Sequence, residues 1–243
     1  MESYQQALER ARQNGACEEA LAELEQLRGW DEFFAHPRAA EWTSWYARNI
    51  LHRRWPEAEP FIARDPEWAC RYAHGIIRGR FIEGEPIIAK DSCWAYWYAY
   101  YILRGRWPEA EPVIARSPLW ANRYADHIIN GRFPLGEPAI ITDLYQACCY
   151  AQYVIRGRWP EAEPLIIQDP FWACFYAQNV IQGRWPEAEP AILQNPHVTL
   201  NYTMNVLKKP WPKGEKVIRT SFEDFQSYDR WLRSYPKGQF PDQ

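Results

Sequence analysis

Arginine and glutamate recur in this chain at a fixed spacing, and that pairing is its strongest polar signal. Arg54, Arg80, Arg106, Arg132, Arg158 and Arg184 each stand five residues before a glutamate: Glu59, Glu85, Glu111, Glu137, Glu163 or Glu189. Two kinds of chemistry fit such a set. One is a ladder of anion or ligand sites. The other is a buried network, with arginine on the carbonyls that end a helix and glutamate on tyrosine hydroxyls or helix amides. The pair is kept in six of the seven copies, Pro210 taking the arginine position in the last, and that uniformity favours the network. Paired carboxylates such as Glu57 and Glu59 have the residue types of an acid–base pair. They recur at helix starts with no loop to form a pocket, so no catalytic residue is assigned and no enzyme is expected. His36, His52, His74, His127 and His197 never fall at metal-ligand spacing. The six cysteines (Cys17, Cys70, Cys93, Cys148, Cys149 and Cys174) show no CxxC pattern, so no metal site is expected. A glycine-rich phosphate loop and a Ser-His-Asp set are also missing, and no cofactor is implied.

Composition narrows the classes further. The chain has 243 residues and a formal net charge of −3, with a pI near 6.0. Bulk attraction to nucleic acid or to an anionic membrane is therefore not expected, although a local basic patch is compatible with it. No apolar run approaches the roughly 18 residues of a membrane span. The first two dozen residues are polar and acidic, without the apolar stretch of a signal peptide, so a cytoplasmic location is expected. Unpaired thiols suit that compartment, and Cys70, Cys148 and Cys174 share one repeat position, as packing residues would.

The elements that must position these groups follow from self-similarity. RWPEAEP occurs at Arg54–Pro60, Arg106–Pro112, Arg158–Pro164 and Arg184–Pro190, with looser copies at Arg80–Pro86, Arg132–Pro138 and Trp211–Lys216, and successive copies lie 26 residues apart. Tyr46, Tyr72, Tyr98, Tyr124, Tyr150, Tyr176, Tyr202 and Tyr228 are equivalent positions. Between motifs the spacing predicts a longer helix. Asp65, Asp91, Asp143 and Asp169 would cap it, and Pro66, Pro118, Pro170 and Pro196 suit its first position. Gly79, Gly105, Gly131, Gly157 and Gly183 would supply its left-handed end. Trp68, Ala69, Tyr72, Ala73, Ile76 and Ile77 would form its buried stripe. A second, shorter helix of about two turns starts near Glu57 or Ala58, which keeps Pro60 in its first turn.

A helix pair of this size cannot bury its own stripe and needs neighbours on both sides. The expected fold is therefore all-α: an αα-solenoid of about seven 26-residue helix-pair repeats with N- and C-terminal capping helices. Residues 1–38 form the N-terminal cap, with helices near Tyr4–Gln13 and Cys17–Leu27. Residues 39–220 form the array, and residues 221–243 form a capping helix and tail, all in one continuous domain. At the C-terminal end Asp229 and Arg233 replace apolar repeat positions, as a solvent-facing last unit requires.

Function is expected where repeats differ on a face that stacking leaves open. Wheel placement turns positions 67, 71, 74 and 78 away from the buried stripe, and an ordinary solvated face there would be Lys, Glu and Gln. This one carries Arg71, Trp97, Tyr100, Arg104, Arg123, Tyr145, Phe171 and Phe175, the residue types enriched at binding hot spots. These eight are the candidate partner-binding residues. The competing reading is that the short helix of a neighbouring repeat covers them.

The pattern YA-x-x-I-I-x-GRWPEAEP-x-I-x-x-DP-x-x-A, carried by Tyr72–Gly79 and Gly105–Ala115 with GACEEAL at Gly15–Leu21 upstream, resembles a group of functionally uncharacterised α-helical repeat proteins of bacteriophage and bacterial genomes. The likeness covers Gly15 to Arg219. It implies a phage accessory protein acting in a host cytoplasm, and supplies no catalytic residue. Three functions follow in order. The first is a non-enzymatic protein-binding scaffold that binds or inhibits a host protein, including a defence protein. The second is a nucleic-acid or nucleotide binder using Arg78, Arg104, Arg156 and Lys208 beside the aromatics. The third is a structural, self-assembling component.

Overall fold

Helix pairs at the expected 26-residue interval make up the chain, and there is no strand among the described residues. The computed structural model describes residues 2–234, so the expected tail at 235–243 lies outside the described residues. The molecule resolves into two compact units, Met1–Ile129 and Asn130–Gln243.

In the first unit, capping helices Tyr4–Gln13, Glu18–Leu24 and Trp30–Ala35 precede the repeats. The turn between the first two uses Gly15 at φ +81°. The third helix is one that sequence reasoning missed. Its Trp30 and Phe33 rings pack on Tyr4 at 5.4 and 6.1 Å, closing an apolar core with Leu8, Leu24 and Trp42. Long helices then occupy 39–51, 66–77, 92–103 and 118–129, with short helices Glu59–Ile62, Glu85–Ile88 and Glu111–Ile114 between them. In the second unit long helices at 144–155, 170–181 and 196–207 alternate with Glu137–Ile140, Glu163–Ile166 and Glu189–Ile192. Pro212–Ile218 and Phe222–Ser234 close that unit. Arg233 faces out and pairs with Asp229 at 2.7 Å, as a terminal helix should.

Helix starts follow the sequence. Asp65 and Asp91 accept from the amides of Trp68 and Trp94 at 3.0 and 2.9 Å, and Asp143 and Asp169 do the same for Gln146 and Trp172. The short helix differs from expectation. Its α-helical residues begin at Glu59, with Ala58 as N-cap and Pro60 at the second position, and it makes a single turn. The preceding Pro56–Ala58 forms a turn, because the amides of Ala58 and Glu59 already reach back to the Trp55 carbonyl.

The ends of the long helices also depart from the expectation. Each begins as α-helix and finishes as π-helix, Pro66–Tyr72 followed by Ala73–Ile77 in one repeat. The amides of both Arg78 and Gly79 donate to the Ala73 carbonyl, five and six residues back. That wider turn puts the left-handed residue one place earlier than the glycine. His52, Arg78, Arg104, Asn130, Arg156, Gln182 and Lys208 all have φ between 52° and 60°, while the glycines that follow do not. It also rotates the end of the helix. Ala69, Cys70, Tyr72 and Ala73 are buried, whereas Ile76 and Ile77, expected in the stripe, are half-buried.

A non-glycine residue in the left-handed region costs roughly 1–2 kcal/mol, offset in part by glycine's own entropy. Gln182→Gly should therefore raise the urea midpoint, by a gain of up to about 1 kcal/mol. Gly183→Ala should stay within about 0.5 kcal/mol of the parent, since an added Cβ there meets no atom within 4 Å. A costly Gly183→Ala would show that the turn is drawn in the wrong place.

Candidate functional site

The repeated Arg–Glu pairs are a structural relay. Arg54 donates twice to Glu59, at 2.8 and 2.7 Å, and the Tyr72 hydroxyl donates to the same carboxylate at 3.0 Å. That hydroxyl in turn accepts from the backbone amide of Trp55 at 2.7 Å. The set recurs as Arg80, Glu85, Tyr98 and the Phe81 amide, and as Arg106, Glu111, Tyr124 and the Trp107 amide. In the second unit Arg132, Glu137, Tyr150 and Phe133, and then Arg158, Glu163, Tyr176 and Trp159, do the same. Arginine thus binds the carboxylate, and not helix-ending carbonyls as expected. The glutamate-to-tyrosine contact is as expected. Glu59, Glu85, Glu111 and Glu137 are held below the ordinary carboxylate range, first by their arginines and then by tyrosine, against the opposing push of burial. A general acid needs the opposite shift. Glu57 is exposed while Glu59 is buried, so the two do not share an environment.

Burial raises the thiols of Cys70, Cys148 and Cys174 to about 12, which fits packing residues. Cys17 is instead exposed. Among the described residues no His, Cys, Asp and Glu cluster could hold a metal ion, and no helix is long and apolar enough to cross a membrane.

The variable face is the remaining candidate. In the first unit Arg71, Arg104 and Arg123 are exposed and Trp97 is half-buried, while Tyr100 is 42 % exposed. Arg71 pairs with Glu67 at 2.8 Å and lies over both Trp68 and Trp94, at 5.4 and 5.5 Å. Arg123 lies over Trp120 at 5.2 Å, and Arg104 holds a left-handed position. Trp97 stacks on Tyr101 at 5.3 Å, and Tyr100 meets Tyr101 edge-on at 5.0 Å. Beneath them Tyr96 is buried, its hydroxyl 2.6 Å from Nδ1 of His127 and pushed up to about 12, mainly by burial. In the second unit Tyr145 and Phe171 are 54 % and 59 % exposed and Phe175 is half-buried. Trp172 joins them, at 5.8, 5.0 and 5.7 Å from the three rings.

Sequence reasoning missed Tyr101, 47 % exposed, together with Tyr96, Trp120 and His127 in the first unit and exposed Tyr153 in the second. A regular 3.6-residue wheel puts position 101 off the open face; the π turn brings it back. The usable signal was variability. That repeat position reads Gly75, Tyr101, His127, Tyr153, Asn179 and Asn205, as diverse as the four chosen. Comparison with protein-family models, with curated proteins and with solved structures finds no match, so the reading of the site rests on its own geometry.

Removing the Tyr98 hydroxyl leaves a buried amide and a carboxylate short of a partner, so Tyr98→Phe should cost about 1–3 kcal/mol in urea unfolding. Glu59, Glu85, Glu111 and Glu137 lie below their unfolded value near 4.3. Their contribution is complete above that pH and is lost as pH falls through the folded values. Urea midpoints should be level from pH 7 to about 5 and fall below about 4. Glu85→Gln should lower the plateau and flatten the fall; an acid profile it leaves untouched would contradict the relay.

Proposed function

We propose that this chain is a non-enzymatic protein-binding repeat scaffold whose variable long-helix faces contact the partner. The observation that carries the reading is the ring cluster of the first unit. Trp97, Tyr100 and Tyr101 pack against one another while two of them stay over two-fifths exposed. Arg71, Arg104 and Arg123 stand exposed on the same set of helices. Large aromatics left in water with arginines around them are the usual composition of a hot spot, and ring–ring packing presets their geometry before a partner arrives. Tyr145, Phe171 and Phe175 give the second unit a face of the same kind. The likeness to phage and bacterial repeat proteins extends the proposal to an accessory protein of the host cytoplasm that binds or inhibits a host defence protein.

A second reading, nucleic-acid or nucleotide binding, has one observation in its favour. Arg78 and Arg104 are exposed, make no ion pair among the described residues, and hold left-handed positions that glycine would fill at less cost. Cations at a helix C-terminus also serve the helix dipole, which leaves this reading second. Binding that falls steeply with salt would promote it.

The test is Tyr100→Ala with Tyr101→Ala, followed by affinity capture from a bacterial lysate and mass spectrometry. Both rings are exposed, so stability should move by no more than about 0.5–1 kcal/mol, while the captured protein is lost. A collapse in stability, or capture unchanged, would overturn the proposal.

A further inference from the structure

In the second unit a groove of about 330 Å³ runs between the long helices at 170–181 and 196–207. That is the small end of ligand pockets, which span roughly 300–1,000 Å³, and suits one residue-sized group. Its walls include Phe171 and Phe175, and its polar groups are Gln178, Asn179 and Asn201. Val198 lines the groove from the same helix as Asn201. Tryptophan holds that repeat position at Trp68, Trp94, Trp120 and Trp172. Where it does, the indole often lies against the helix before it: Trp94 under Arg71 at 5.5 Å, Trp120 against Tyr96 and Trp97 at 5.2 and 6.1 Å, Trp172 against Tyr145 at 5.8 Å. Val198 brings no ring. Among the described residues the ring contacts of Phe171 and Phe175 are with Trp172 alone, on their own helix.

The polar lining is uncharged and open in both senses. Gln178 makes no hydrogen bond among the described residues. Asn179 donates to the Phe175 carbonyl at 2.9 Å, which leaves its side-chain oxygen to accept. Asn201 accepts from Asn205 and from the Cys174 thiol, which leaves its side-chain nitrogen to donate. At the rim, His197 is already matched by Asp224 at 3.0 Å. The comparable groove of the first unit, about 340 Å³ between helices 39–51 and 66–77, carries Arg48 and Arg71 instead. An uncharged lining with both donors and acceptors fits the peptide amide, which offers one of each.

We infer that this groove binds an aromatic residue of a partner polypeptide, its ring against Phe171 and Phe175 and its flanking amides on Gln178, Asn179 and Asn201. The inference rests on the protein-binding reading but on the other unit, so the Tyr100/Tyr101 experiment and the one below fail separately.

The probe is N-acetyl-L-tryptophanamide, titrated into the ¹⁵N-labelled full chain and followed by NMR. Saturable shifts should appear in residues 171–179 and 197–205, including the side-chain amides of Gln178, Asn179 and Asn201. Val198→Trp, which supplies the ring from within, should weaken binding at least about tenfold. Phe171→Ala, at an exposed site, should weaken it as well while leaving the melting temperature unchanged. Free indole, which has the ring without the amides, should bind about tenfold more weakly than the probe. No saturable shift at about 10 mM, shifts that Val198→Trp and Phe171→Ala both leave intact, or indole binding as tightly as the amide would each overturn the proposal.

Discussion

At Trp55, Phe81, Trp107, Trp159 and Trp185 one aromatic residue is gripped by tyrosines from two consecutive long helices, and the rest of the structure follows from that grip. The Trp107 ring packs on Tyr98 at 5.0 Å, while its backbone amide donates to the hydroxyl of Tyr124 at 2.6 Å. Trp185 does the same between Tyr176 and Tyr202, at 5.2 and 2.7 Å. An amide in a connecting loop would ordinarily be left to water. Here it is turned inward and needs a partner, and the one it finds is a hydroxyl of the next long helix. At Tyr72, Tyr98, Tyr124, Tyr150 and Tyr176 the glutamate fixes the orientation of that hydroxyl, and the arginine, half in solvent, makes a buried carboxylate tolerable. A helix pair too small to bury its own stripe is thereby tied to its neighbours through directional bonds as well as through apolar contact.

The two ends of the array meet this constraint differently. Tyr46 has no RWPEAEP copy before it, and the N-terminal cap makes the same chemistry from unrelated sequence. Glu2 accepts from the Tyr46 hydroxyl, and Arg10 donates to both Glu2 oxygens at 3.1 Å. Trp30 donates from its indole to the Glu2 carbonyl at 3.1 Å and packs on Trp55, so the cap is locked by the same residue types. At the other end Pro210 removes the arginine, and Glu215 turns to Arg219 on its own helix at 2.6 Å. The buried Tyr228 hydroxyl donates to no glutamate among the described residues, unlike its equivalents in the repeats before.

Much of this was legible in the residues. The period, the aspartate caps, the prolines at helix starts and the equivalent tyrosines are local signals, and each is repeated often enough to average out noise. The arginine's partner was not legible, because a five-residue spacing across a turn and a helix start does not say that the two side chains meet. The π turn was hidden for a related reason. Gly79 suggested a left-handed glycine, but the wider turn moved that conformation onto Arg78, and with it Tyr101 and His127 came onto the open face. Arg71, Trp97, Tyr100, Arg104, Arg123, Tyr145, Phe171 and Phe175 stand out as candidates because their types are out of place on a solvated helix. The ring contacts that organise them depend on neighbouring helices and could not be read from one helix at a time.

Native-state hydrogen exchange on the loop amides tests the central claim most directly. The amides of Trp55, Phe81, Trp107, Trp159 and Trp185 should exchange as slowly as those of buried Tyr72, Tyr98 and Tyr176 in the helices, while the exposed neighbours Glu83, Glu109 and Glu161 exchange fast. Loop amides at 55, 81, 107, 159 and 185 that exchange as quickly as their neighbours would contradict it, because the tyrosine grip would then not be holding the repeats together.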